Sequence, residues 1–139
     1  MIGALALSAL RETGWKVDSI GGLTLGADPI SYAISYASAA SDHPLRAFTV
    51  RKEPKAHGTG KLIEGPFREG DRVAVIEDVI TTGGSALRAI EAVRSARGSV
   101  AGVLALVDRG EGGRQAIERT GAAVISLVTA DQIIAVLGG

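Results

Sequence analysis

The segment RVAVIEDVITTGGSALRAIEAVR, residues 72–94, decides the fold. It opens with RVAVIE (72–77), an apolar run without alternation, as expected of a parallel strand buried on both faces. A helix is expected over 85–97. Ala86, Leu87, Ile90, Val93 and Arg94 follow the helical period, and Gly98 is placed to stop it. Strand running directly into helix is the repeating unit of a doubly wound α/β sheet. Between the two, residues 77–85 hold two acids, two threonines, two glycines and a serine. That is more polar chemistry than a turn requires.

The same alternation extends outward in both directions. The N-terminal segment MIGALALSALRETGW reads as a helix that packs on the core through Ile2, Leu5 and Ala9. Strands are expected at 16–20, 46–50, 99–108 and 122–128. Between them lie a helix over 29–40 with Pro29 in its first turn and a short helix over 113–121. Thr129 and Gln132 form a capping box for a last helix through Leu137. Residues 51–71 lack periodicity and carry many charges, so they read as a long functional loop. The expectation is one domain over residues 1–139: a mostly parallel sheet of about five strands with flanking helices and right-handed crossovers.

Net charge is zero, which argues against a nucleic-acid partner, because that needs a basic footprint. No cysteine is present, so thiol nucleophiles and disulfides are excluded, and a cytoplasmic location fits. The N-terminal apolar run is far shorter than the roughly 20 residues a bilayer demands, and no membrane partner is expected.

In an open α/β sheet, ligands sit beyond the carboxyl ends of the strands. Three suspicious segments follow strands: GGLTLGADP (21–29), RKEPKAHG (51–58) and EDVITTGGSA (77–86). A glycine-bearing turn that opens a helix presents free N–H groups to an anion, and Thr81, Thr82 and Ser85 add hydroxyl donors. Together they suit a phosphate monoester. The spacing is neither a Walker loop nor the dinucleotide fingerprint. Glu77 and Asp78 would repel a phosphate in contact, but they can accept from a sugar diol or hold waters on Mg²⁺. A sugar phosphate satisfies both halves.

VAVIEDVITTGGSA resembles the phosphoribosyl-diphosphate motif of the type I phosphoribosyltransferases, a Rossmann-like family. RKEPKAHGTGKLIEG resembles the mobile catalytic loop of the orotate phosphoribosyltransferases within it. The resemblance covers residues from about 15 to 137 and implies transfer of phosphoribosyl to orotate with Mg²⁺, in pyrimidine nucleotide biosynthesis. It places the diphosphate contacts on Arg51, Lys52, Lys55 and His57, and the phosphoribosyl contacts on Glu77, Asp78, Val79, Ile80, Thr81, Thr82, Gly83, Gly84 and Ser85. Lys52, Lys55 and Asp78 are the implied catalytic residues, and Glu77 and Asp78 the metal carboxylates, acting through water. Orotate would meet Thr81 and Arg109. Leu23, Thr24, Leu25 and Gly26 match the pyrophosphate loop, with glycine where many relatives have lysine. The resemblance also implies a homodimer that shares the mobile loop. Relatives carry an additional N-terminal segment that hoods the base. A core without it is expected to keep phosphoribosyl-diphosphate binding and to hold orotate less well. Transfer to a purine or uracil, a ligand-sensing regulator and an idle core are the other readings.

Overall fold

The computed structural model describes residues 1–54 and 61–138. Six strands form one sheet in the order β3-β2-β1-β4-β5-β6. They are β1 (Ser19–Leu23), β2 (Arg46–Val50), β3 (Ile63–Glu64), β4 (Arg72–Ile80), β5 (Ser99–Asp108) and β6 (Ala123–Thr129). Every pairing is parallel except β2 with β3. The helices are α1 (Ile2–Glu12), α2 (Asp28–Ser38), α3 (Gly84–Ser95), α4 (Gly113–Glu118) and α5 (Ala130–Gly138). No helix among the described residues is long and apolar enough to cross a membrane.

Alternation along β4 splits the core between the two faces of the sheet. Val73 and Val75 join Ala89, Ile90 and Val93 of α3 and Ile117 of α4. Ala74 and Ile76 join Ala6 and Leu10 of α1 and Ile30 and Ile34 of α2. Helices on both faces of a parallel sheet are the doubly wound arrangement the sequence predicts.

Several boundaries differ from expectation. β1 lies at 19–23 rather than 16–20, because Gly21 and Gly22 continue the strand instead of ending it. Gly21 is paired on both sides, with Phe48 of β2 and Val75 of β4, and Gly22 continues the pairing with Thr49 of β2. β3 lies inside the stretch expected to be loop: two residues are too few for a period, and pairing to Thr49 and Val50 defines it. β4 runs three residues past Glu77, so both acids stand within the strand. α3 ends at Ser95, and Arg97 rather than Gly98 takes positive φ, at 67°. Arg94 is exposed. In α1 the core face is Gly3, Ala6 and Leu10, whereas Ile2 and Leu5 face outward. Small residues win that face because α1 crosses close to α2: a side chain at Gly3 would strike the Ala33 carbonyl. The Thr129–Gln132 capping box forms as expected, with Gln132 N–H donating to Thr129 Oγ1 at 3.2 Å and Thr129 N–H to Gln132 Oε1 at 2.8 Å.

Candidate functional site

The carboxyl ends of β1, β2, β4 and β5 bring residues 23–28, 51–54, 78–86 and 109 to one edge. Residues 81–85 leave β4 and turn into α3. Gly83 holds φ at 90°, a left-handed conformation that strains any side-chain-bearing residue. Among the described residues, the N–H groups of Thr82, Gly83, Gly84 and Ser85 have no protein acceptor. The hydroxyls of Thr81, Thr82 and Ser85 likewise have no hydrogen-bond partner there. The carbonyls are engaged instead. Thr81 O accepts from Gly113 N–H at 3.0 Å, Ile80 O from Arg109 N–H at 3.0 Å, and Gly83 O from Leu87 N–H at 2.9 Å. The turn thus engages the Thr81 and Gly83 carbonyls and leaves four N–H donors without a protein acceptor, which is the polarity an anion needs. Ser85 lies inside the helix, and Gly83 is the N-cap.

The loop after β1 meets the acids. A Cβ built on Gly26 would lie 2.8 Å from Asp78 Oδ2. Any side chain at position 26 therefore displaces that carboxylate. Thr24 N–H donates to Val50 O at 2.8 Å, and Thr24 Oγ–H donates to Asp28 Oδ2 at 2.7 Å. The Thr24–Leu25 peptide is cis. The two acids are not equivalent. Glu77 is 7% exposed, and its carboxyl pKa is pushed up to about 8, first by burial and then by the Asp78 carboxylate. Asp78 is partly exposed and is the member that opens toward solvent. Glu77 Oε1 accepts from Asp78 N–H at 3.1 Å, and Asp78 Oδ1 accepts from Val79 N–H at 2.8 Å.

The other predicted residues are placed unevenly. Ile80 is 1% exposed and Leu23 is buried in the core, so each can offer only backbone to a ligand. Val79 is exposed. Arg51 Nη1 pairs with Glu64 Oε1 at 2.9 Å, and its Nε donates to Glu53 O at 3.3 Å. Lys52 is exposed, and its carbonyl accepts from Arg88 of α3. Lys55 and His57 lie outside the described residues. Arg109 is exposed, with Nη2 3.3 Å from Glu111 Oε1.

Sequence reasoning missed four contributors. Gly113 packs against the 81–83 turn, and Arg88 braces the root of the 51–54 segment. Asp108 accepts from Gly110 N–H at 2.9 Å and from Arg114 Nε at 3.0 Å, which shapes the turn carrying Arg109. Asp28 joins Thr24 to Thr49. Asp28, Arg88 and Gly113 act across the fold, so no local pattern announces them, whereas the partners of Asp108 lie two and six residues on.

No protein-family model matches the chain. It is 48% identical over 134 residues to the orotate phosphoribosyltransferase of Aquifex aeolicus, covering 96% of this chain and 72% of that protein. To the orotate phosphoribosyltransferase of Rhodopirellula baltica it is 43% identical over 125 residues, covering 90% of this chain and 65% of the relative. The chain thus spans about two thirds of the length of these relatives. The crystal structure of Mycobacterium tuberculosis orotate phosphoribosyltransferase in complex with 5-phospho-α-D-ribosyl 1-diphosphate superposes with a TM-score of 0.77. That match has 42% identity and covers 93% of this chain and 74% of the other. With this sheet, this loop arrangement and these likenesses over nearly its whole length, the chain belongs to the orotate phosphoribosyltransferase family.

Proposed function

We propose that this chain transfers the 5-phosphoribosyl group from phosphoribosyl diphosphate to orotate, using the edge formed by β1, β2, β4 and β5. The carrying observation is the 81–85 turn, whose amides from Thr82 to Ser85 lack acceptors among the described residues while Asp78 stands beside the Gly26 loop. In this reading the 5-phosphate docks on residues 81–85, and the acid pair takes the ribose diol through Asp78, with Glu77 behind it. The C1–O bond breaks with its electron pair leaving on pyrophosphate, and N1 of the orotate anion forms the new bond to C1. Charge grows on the leaving diphosphate as the bond opens. Arg51, Lys52, Lys55 and His57 are the cations assigned to it, beside the amides of the 23–26 loop. Thr81 and Arg109 are assigned to orotate. A guanidinium suits its carboxylate, and the 3.3 Å pairing of Arg109 with exposed Glu111 is weak enough to exchange for it.

The donor set suits a Mg²⁺ ion carried by substrate. The described residues contain no cluster of three or more His, Cys, Asp or Glu side chains able to cage a metal. Mg²⁺ commonly keeps several waters and binds one or two carboxylates plus substrate phosphates. Asp78, and Glu77 through water, are the carboxylates for that role. When bound, the ion would offset diphosphate charge.

The test is product formation with phosphoribosyl diphosphate and Mg²⁺ against orotate, uracil and adenine in parallel, with melting shifts for each ligand alone. Orotidine monophosphate from orotate alone is the expected result. Binding of phosphoribosyl diphosphate without any product would overturn the transfer reading.

Lys52→Ala should lower kcat about 30-fold and leave the KM for phosphoribosyl diphosphate within about threefold, because its charge acts on the leaving group. Equal changes in both constants would contradict that role. The resemblance also supports a homodimer in which the loop serves the neighbouring site. Sedimentation should then give twice the 14.2 kDa chain mass, and a monomer at assay concentration would remove the shared loop.

A further inference from the structure

We propose that Asp28 is a positioning residue for phosphoribosyl diphosphate, clamping the loop after β1 to the end of β2. Both of its carboxylate oxygens are engaged, and by residues from different elements. Oδ2 accepts from Thr24 Oγ1 at 2.7 Å, and Oδ1 accepts from Thr49 Oγ1 at 3.1 Å. Tyr32 OH lies 3.4 Å from Thr49 Oγ1. Thr49 gives its one proton to Asp28, so Tyr32 is the donor in that contact. The result is a chain from Tyr32 through Thr49 to Asp28, met from the other side by Thr24. Thr24 N–H on Val50 O adds a second tie between the same two strand ends.

This carboxylate stands at the start of α2, where the helix dipole favours a negative charge. An acid at that place often does no more than stabilise the helix. Here its two oxygens reach Thr24 in the loop and Thr49, two residues before Arg51. A third acid near a diphosphate site would oppose anion binding by charge, along with Glu77 and Asp78. Its contribution must therefore come through geometry. It fixes the loop whose Gly26 lies against Asp78, and it sets that loop's spacing to the segment carrying Arg51 and Lys52. The inference rests on the proposed function for the identity of the ligand, but the clamp itself exists in the free chain.

The experiment has two readouts on the full chain. The first is affinity for phosphoribosyl diphosphate by calorimetry. Asp28→Ala is expected to weaken it about 20-fold, Thr49→Val about fivefold, and the isosteric Asp28→Asn no more than about threefold. The Asp28→Ala, Thr49→Val double variant should be no weaker than Asp28→Ala alone, since both remove one network. The second readout is amide hydrogen exchange of residues 24–27 in ligand-free protein, expected to speed up about tenfold in Asp28→Ala while the exchange of β5 stays unchanged. Additive losses of about 100-fold in the double variant, or unaltered exchange at 24–27, would overturn the clamp. If the wild-type chain binds no phosphoribosyl diphosphate, the proposed ligand is wrong, and the exchange measurement still decides the clamp. Should Asp28→Ala not fold, the Thr24→Val, Thr49→Val pair removes the same two hydrogen bonds and is read the same way.

Discussion

Gly113→Ala is expected to weaken phosphoribosyl-diphosphate binding about 100-fold, close to 2.8 kcal/mol at 1.4 kcal/mol per decade. Gly113 opens α4, far along the chain from the 81–85 turn, yet it touches it. An alanine Cβ there would lie 2.5 Å from Ile80 Cγ2, 2.6 Å from Thr81 O and 2.8 Å from Gly83 N. Two of those atoms are backbone and cannot rotate away. Ile80 is locked in the core, so the methyl must part the turn from α4. That breaks the Gly113 N–H to Thr81 O bond and moves the Gly83 amide, one of the unaccepted donors. Donors aimed at an anion lose value quickly when displaced. Gly112→Ala is the control. It has positive φ, 92°, but open space around the Cβ. Its cost is roughly 1–2 kcal/mol of backbone strain, with ligand affinity held within about threefold. Calorimetry on both variants, with melting curves to show that each folds, checks the pair. Wild-type-like affinity in Gly113→Ala would mean that the turn does not need its neighbour.

The contrast between what was readable and what was not follows the range of the interactions. β2 and β5 came out with the expected bounds because each is a compact apolar run whose neighbours enclose it. The capping box of α5 was readable because Thr129 and Gln132 are three residues apart. The 81–85 turn was readable for the same reason: its chemistry is contiguous. β1 was displaced because glycine ends most strands, and only the two flanking strands make Gly21 and Gly22 extend this one. Along α1 hydrophobicity points to Ile2 and Leu5, whereas close helix crossing demands Gly3 and Ala6. Asp28, Arg88 and Gly113 share that condition. Their roles are set by partners far along the chain on other elements.

The largest stability effect is expected at the other end of the sheet, where Asp71→Ala should cost about 3–5 kcal/mol at neutral pH. Asp71 is 6% exposed just before β4 and gathers three elements. Its Oδ1 is 2.7 Å from Arg46 Nη2 of β2. Oδ2 accepts from Arg46 Nη1 at 2.9 Å, Ser19 Oγ of β1 at 2.9 Å and Arg68 N–H at 3.0 Å. Removing the carboxylate leaves a guanidinium, a buried hydroxyl and an amide without their acceptor, a heavier loss than the pair's net value. The pH dependence follows from the carboxyl's shift. Burial alone would raise its pKa, but the hydrogen bonds from Arg46, Arg68 N–H and Ser19 outweigh it, so the folded value lies below the ordinary 3.8. A depressed carboxyl stabilises above its unfolded pKa and loses that contribution as pH falls through the folded one. The gap between wild type and Asp71→Ala should therefore be flat from about pH 8 to 5 and narrow below about pH 4. Glu77 works in the opposite sense. Its folded pKa is raised, so its contribution falls as pH climbs from 4.5 through about 8, but both proteins carry it and it cancels in the difference. Denaturant unfolding at pH 7, 5 and 3 measures the gap. A loss under about 1 kcal/mol at pH 7, or a gap as wide at pH 3, would show that the carboxylate is screened by water rather than held by its three partners.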